Sequence, residues 1–144
     1  MRIEVPSASR PSAWVVFSGE APLWWLRCLR PGFRHCFVVL NDGERWILVD
    51  PLAPHTEVRV LDRPALWDVP GWYRGRGHAV VRAAVRRDRV RVAPPAPFTC
   101  VEAVKRVIGL ADPAVLTPWQ LYRRLASPSP SPSPIRQEDP PWEA

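Results

Sequence analysis

A cysteine that opens a helix and a histidine carried on a strand are the residues of this chain whose types and spacing can do chemistry. Phe98-Thr99-Cys100-Val101-Glu102 contains a helix start: Thr99 is an N-cap, Cys100 the first helical residue, and Glu102 completes the T-x-x-E spacing of a capping box. Apolar residues recur at Val101, Val104, Val107 and Ile108, with Lys105 and Arg106 on the other side and Gly109 as a stop. A short amphipathic helix is therefore predicted over residues 100–108. The free N–H groups and positive dipole end of such a helix favour a thiolate over a thiol, and a nearby imidazolium does the same. With His35 brought to it by a sheet, Cys100 has the minimal arrangement for cysteine nucleophilic catalysis. The alternative for the segment is a buried cysteine that merely packs a helix end.

The sheet that must position His35 is a β-hairpin. Residues 33–40 and 45–50 are strand-like runs rich in Val, Ile, Phe and Trp, and Asn41-Asp42-Gly43-Glu44 between them holds the Asp-Gly pair favoured in two-residue turns. With Asp42 and Gly43 as the loop, Asn41 pairs with Glu44 and His35 falls directly opposite Asp50. Opposite residues share a face, so the Asp50 carboxylate can orient the imidazole and stabilise its charged form. Phe37, Val39, Trp46 and Leu48 lie on that face, which is expected to receive the Cys100 helix. Cys36, Val38, Leu40, Ile47 and Val49 make the opposite face equally apolar, which places the hairpin in the middle of its sheet.

A histidine on a strand, a polar residue ending the next strand and, later, a cysteine opening a helix is an order that resembles the circularly permuted papain-like superfamily. That group includes the lecithin-retinol acyltransferase group and permuted relatives of the NlpC-type peptidases. The resemblance spans residues 14–125 in outline and is carried by Arg34-His35-Cys36-Phe37-Val38-Val39, Val49-Asp50 and Phe98-Thr99-Cys100-Val101-Glu102. It implies Cys100 as nucleophile, His35 as base and Asp50 as orienting residue. It further implies an amide or ester substrate, a cell-wall peptide amide first and a lipid ester second. Cys36-Phe37 and Thr99 stand where family members often have a small residue and Asn.

Composition narrows the classes of function. The 144 residues, 47% of them hydrophobic and eight of them tryptophan, can bury one sizeable core and no second one. The net charge of +6 invites a nucleic-acid reading, but Lys105 is the single lysine and every other basic side chain is arginine. Arginine in place of lysine beside abundant Ala and Pro reads as coding bias. Arg86-Arg87-Asp88-Arg89 and Arg123-Arg124 then read as solvated faces, and no specific nucleic-acid partner is expected. Cys28, Cys36 and Cys100 make an odd count without a disulfide framework, and neither they nor His55 and His78 have metal-site spacing, so no metal or cofactor is expected. Leu23-Trp24-Trp25-Leu26 is far too short to span a bilayer, and residues 1–12 hold no apolar signal region. A cytoplasmic location, or one within a phage-like particle, is the expectation. The oligomeric state is left open.

Elsewhere, residues 13–17, 57–61, 78–85 and 89–92 read as strands and residues 22–29 as a short helix or turn. Residues 62–77 read as an irregular aromatic loop whose Trp67, Trp72 and Tyr73 are groove candidates, although core packing is the commoner role of tryptophan. A final helix is signalled by Thr117-Pro118-Trp119-Gln120 and runs to about Ala126. From Ser127 the alternating Ser-Pro tract can join neither helix nor interior strand, so residues 127–144 are expected to be a disordered tail. The expected architecture is a single α+β domain over residues 1–126: a mainly antiparallel sheet of about five strands, with the cysteine-bearing helix on the His35 face. Two classes of function follow: a thiol hydrolase or acyltransferase, or a catalytically inactive papain-like domain serving as an interaction or phage-like assembly component.

Overall fold

Runs rich in β-branched and aromatic residues become strands, as such side chains fit a pleated, half-buried surface. The strands are β1 (Ser12–Ser18), β2 (His35–Asn41), β3 (Arg45–Pro51), β4 (Thr56–Pro64) and β5 (Ala79–Ala83). They come from a computed structural model that describes residues 11–20, 24–86 and 99–127. Every pairing is antiparallel, in the order β4-β3-β2-β1-β5, so β2, which begins at His35, is the middle strand. Three helices, α1 (Val69–Gly75), α2 (Cys100–Ile108) and α3 (Pro118–Ala126), and a 3-10 turn at Trp24–Cys28 complete the described residues. The protein is α+β. The expected strand over residues 89–92 and the Ser-Pro tract from residue 128 lie outside the described residues.

Two layers cover the sheet. On one face Ala13, Val15, Phe17, Cys36 and Val38 pack with Val101, Val104 and Ile108 of α2 and Leu121 of α3; on the other, Val16, Phe37, Val39, Trp46 and Leu48 pack with Val69 of α1. The α2 helix therefore lies on the Cys36 face and not, as expected, on the face of His35, Phe37 and Val39. Both faces are apolar, so periodicity alone could not choose between them. The face that α2 takes offers small side chains, Ala13, Cys36 and Ala83 among them, which let a helix backbone approach. The Trp14, Phe37 and Trp46 rings fill the other face and leave room for the short α1 alone.

The expected irregular loop over residues 62–77 is likewise corrected. β4 continues to Pro64, and α1 is started by Asp68, whose carboxylate accepts a hydrogen bond from the Gly71 N–H at 2.8 Å, with Pro70 in the first turn, where its missing N–H costs nothing. Tryptophan is divided: Trp46 is buried, while Trp24 is 79% exposed and Trp25, Trp67 and Trp72 are also exposed.

Helix α2 begins and ends as its sequence dictates. Thr99 Oγ1 accepts from the Glu102 N–H, and Gly109 closes the helix in the left-handed conformation (φ 72°), donating its N–H to the Lys105 carbonyl. The capping box is only half made, because the Glu102 carboxylate is taken by Lys105 (3.1 Å) and Arg106 (3.2 Å). Lys105 was expected on the polar side; it is buried, and its ammonium also donates to the Val115 carbonyl at 3.1 Å, which is how a buried charge is satisfied. In α3 the corresponding box, Thr117 with Gln120, is complete.

Gly109 also touches the chain that follows β5. A Cβ there would collide with the Arg86 carbonyl, and Arg86 donates its own N–H to the Ile108 carbonyl at 2.9 Å. Gly109→Ala is expected to destabilise the protein by about 2 kcal/mol or more, from the left-handed backbone and the collision together. Urea unfolding checks this, and a loss below about 0.5 kcal/mol, the range of an ordinary surface substitution, would show that the close approach is not there.

Candidate active site

The hairpin brings His35 and Asp50 together, although not in the expected register. Asn41 pairs with Trp46, Leu40 with Ile47, Val39 with Leu48 and Val38 with Val49, a shift of two residues from the sequence reading. Turn chemistry explains it. The Asp42 carboxylate accepts from the N–H groups of Glu44 (2.8 Å) and Arg45 (2.7 Å), and the Asp42 N–H donates to the Arg45 carbonyl (3.2 Å). Gly43 and Glu44 are thus the loop residues, with Gly43 at φ 100°. Side chains alternate faces with a period of two, so a shift of two leaves every residue on its expected face. His35 lies diagonally across from Asp50 and not directly opposite it, within reach of a long side chain, and Nε2 is 2.6 Å from Asp50 Oδ1.

Cys100 approaches from the other layer. His35 is the first residue of β2, paired with Ser18 at the end of β1, so it stands at the rim of the sheet, with its side chain 14% exposed. The N-terminus of α2 reaches the same rim. Cys36, next along β2 and fully buried, points into the α2 layer and belongs to the cluster against which Cys100 packs. Cys100 packs against the cluster that contains Cys36, and the Cys36 thiol and backbone N–H and the His35 ring are the groups that act on its sulfur. With Nε2–H donating to Asp50, Nδ1 is the ring nitrogen left for the sulfur.

These contacts set the charges. The Cys36 thiol bond is the largest influence on Cys100; burial opposes it, but with the His35 hydrogen bond and charge added the thiol is held down to about 5. Burial acts on His35 in the opposite direction, towards neutrality, and is outweighed by the bonds to Asp50 and Cys100, which push the imidazolium up to about 9. Hydrogen bonding to Cys100, with burial, raises Cys36 well above the ordinary thiol range, so Cys36 remains the protonated donor. Between those limits the site holds a thiolate–imidazolium pair with a carboxylate behind it.

One residue at this rim was missed by sequence reasoning, and another was read there only as a groove candidate in an irregular loop. Cys36 was read as a strand cysteine on the face away from the site, and only the misplaced helix layer concealed it. Tyr73 of α1 packs edge-on to Phe37 (5.2 Å between ring centres), which in turn lies beside His35 (6.3 Å). Burial and the Asp50 charge raise its phenol. Trp72 and Trp67 continue this aromatic run outward. The signal for α1, an Asp N-cap followed by proline in the first turn, was present in Asp68-Val69-Pro70. Of the other histidines, His78 Nδ1 lies 3.3 Å from the Phe17 carbonyl and His55 is exposed. Among the described residues no group of His, Cys, Asp and Glu could hold a metal ion, and no helix is long and apolar enough to cross a membrane.

Comparison with known proteins adds little to this geometry. The chain is 33% identical over 67 residues to an uncharacterized protein of Mycobacterium tuberculosis, a stretch covering 46% of this chain and 20% of that protein's length. No family model matches, and no solved structure matches.

Proposed function

We propose that this protein is a cysteine-dependent hydrolase or acyltransferase of the permuted papain-like kind. The observation that carries the reading is the His35–Asp50 pair, 2.6 Å apart, together with Cys100 as the first residue of α2, where the His35 ring and charge help to hold its thiol down to about 5. Cys100 attacks the carbonyl carbon of an amide or ester, and the backbone N–H of Cys100 at the helix tip donates to the oxyanion. His35, already an imidazolium, gives its proton to the leaving amine or alcohol. It then takes one from the water or acceptor that resolves the thioester, and Asp50 holds the ring in the productive tautomer throughout. The run of rings that starts at Phe37 beside His35 and continues through Tyr73 to Trp72 provides an apolar wall for the acyl or peptide side of a substrate. A cell-wall peptide amide and a lipid ester are the two substrate classes to test first.

Because the thiolate is the nucleophile, alkylation of Cys100 by iodoacetamide should rise as pH passes about 5 and then level off. Acyl transfer also needs the imidazolium, so it should fall again as pH passes about 9. Cys28, exposed on the 3-10 turn, is an internal control whose greater accessibility favours it. At about pH 6 Cys100 should nevertheless be labelled about tenfold faster, because its thiol is held down to about 5 and is largely thiolate there. Should Cys100 label no faster than Cys28, the nucleophile reading falls. An inactive domain making contacts through exposed Trp24, Trp25 and Leu66 would then take its place.

A further inference from the structure

The proposed acyl transfer has no use for a second thiol, yet one belongs to the buried cluster against which the first packs. Cys36 is wholly enclosed, its cross-strand neighbour is Phe17, and it shares one packed cluster with Cys100 and the α2 residues Val101 and Val104. Cys28, by contrast, is exposed on the 3-10 turn that follows β1. A strand and a helix N-terminus thus bring two cysteines into one packed cluster, and a reactive thiolate near a resolving thiol is the arrangement that turns peroxide oxidation into a reversible event.

We propose that Cys36 and Cys100 form a dithiol that hydroperoxides convert into an intramolecular disulfide, with Cys100 as the attacking and Cys36 as the resolving sulfur. In the first step the Cys100 thiolate attacks one peroxide oxygen: an S–O bond forms, the O–O bond breaks, and the departing oxygen leaves as water or alcohol with the proton of the His35 imidazolium. In the second, the Cys36 sulfur attacks the sulfenic acid: the S–S bond forms, the S–O bond breaks, and hydroxide leaves as water with the Cys36 proton. The peroxide gains two electrons and the dithiol loses two; a small thiol reverses the change by exchange. Cys36 is restrained from acting as a nucleophile first of all by its bond to the Cys100 thiolate, and oxidation of Cys100 removes that negative charge. The second step is therefore unlocked by the first. The disulfide would tie β2 to the start of α2 and remove the nucleophile, giving a reversible arrest of acyl transfer and protecting Cys100 from irreversible oxidation.

The proposal rests on Cys100 being the reactive thiolate of the proposed function, but not on acyl transfer itself. The test treats the full chain with stoichiometric hydrogen peroxide, blocks remaining thiols with iodoacetamide and digests with trypsin without reduction. The expected product is a disulfide-linked pair of the peptides His35–Arg45 and Val92–Lys105, lighter by two hydrogens than their sum, with Cys28 alkylated throughout and the link lost after dithiothreitol. In Cys36→Ser, Cys100 should instead proceed to sulfinic or sulfonic acid. If Cys100 in the unaltered protein goes directly to those acids, or links to Cys28 of another molecule, Cys36 does not resolve it. The proposal is then overturned while the nucleophile reading stands. If Cys100 is neither oxidised by peroxide nor labelled ahead of Cys28 without it, both readings fall together.

Discussion

His35→Ala should abolish the ion pair and with it most of the reactivity of Cys100. The imidazole supplies both a hydrogen bond and a charge to the sulfur, and the remaining Cys36 bonds work against burial. The half-maximal pH of alkylation should therefore move up from about 5. Each unit by which the thiol's pKa exceeds the assay pH costs about tenfold in thiolate, and roughly half of that, on a logarithmic scale, is returned by the greater nucleophilicity of a more basic sulfur. At about pH 6 the net loss in iodoacetamide labelling is expected to be about tenfold. On the proposed mechanism, hydrolysis of an amide should fall further, by about 10²- to 10⁴-fold, because the leaving amine also loses its proton donor.

Asp50→Asn should retain a hydrogen-bond acceptor for Nε2–H while losing the charge, so its loss should be smaller than that of His35→Ala. Its upper pH limit should move down from about 9, since the Asp50 bond is the largest contribution raising the imidazolium. A His35→Ala protein whose Cys100 keeps the unaltered pH profile would dispose of the ion pair. An Asp50→Asn protein with an unmoved upper limit would dispose of the orienting role.

Phe17→Ala is expected to have the largest effect on stability, about 3–5 kcal/mol, because it combines the lost transfer energy of an aromatic ring with a cavity its neighbours cannot close. Phe17 is completely buried on β1, between β2 and β5. Its ring meets Phe33 (5.6 Å) and Tyr122 of α3 (5.5 Å, edge-on). Small domains are stable by only about 5–15 kcal/mol, so the variant should be near the limit of folding at room temperature. Phe17→Leu, which keeps most of the volume, should cost about 1.5 kcal/mol. Urea denaturation measures both. Phe17 is also the cross-strand neighbour of Cys36, so Phe17→Leu should disturb thiol reactivity before it disturbs folding; a Phe17→Ala loss below about 1 kcal/mol would show that this cluster is not the core.

The helix that carries Cys100 was legible because its signals are local. A Thr N-cap, apolar residues at helical spacing and a terminal Gly each act within one or two turns, and α2 spans Cys100–Ile108, as its sequence predicts. The common face of His35 and Asp50 was legible for a different reason. Strand periodicity survives any register shift of two, so the pair met although the turn was placed one residue early and the pairing two residues off.

What the sequence could not decide was which layer each element joined. Both faces of the hairpin are apolar, and only the fit of small side chains under α2 and of large rings under α1 assigned them, a matter of volumes from seven different strands and helices. Lys105 and Glu102 turned inward for the same reason, since their partners, Arg106 and the Val115 carbonyl, are assembled by the end of α2 and the chain leading to α3. Cys36 became a partner of Cys100 only once that layer was set. Capping and alternation are written residue by residue along the chain, whereas a contact between layers depends on side chains distant in sequence that no local pattern counts.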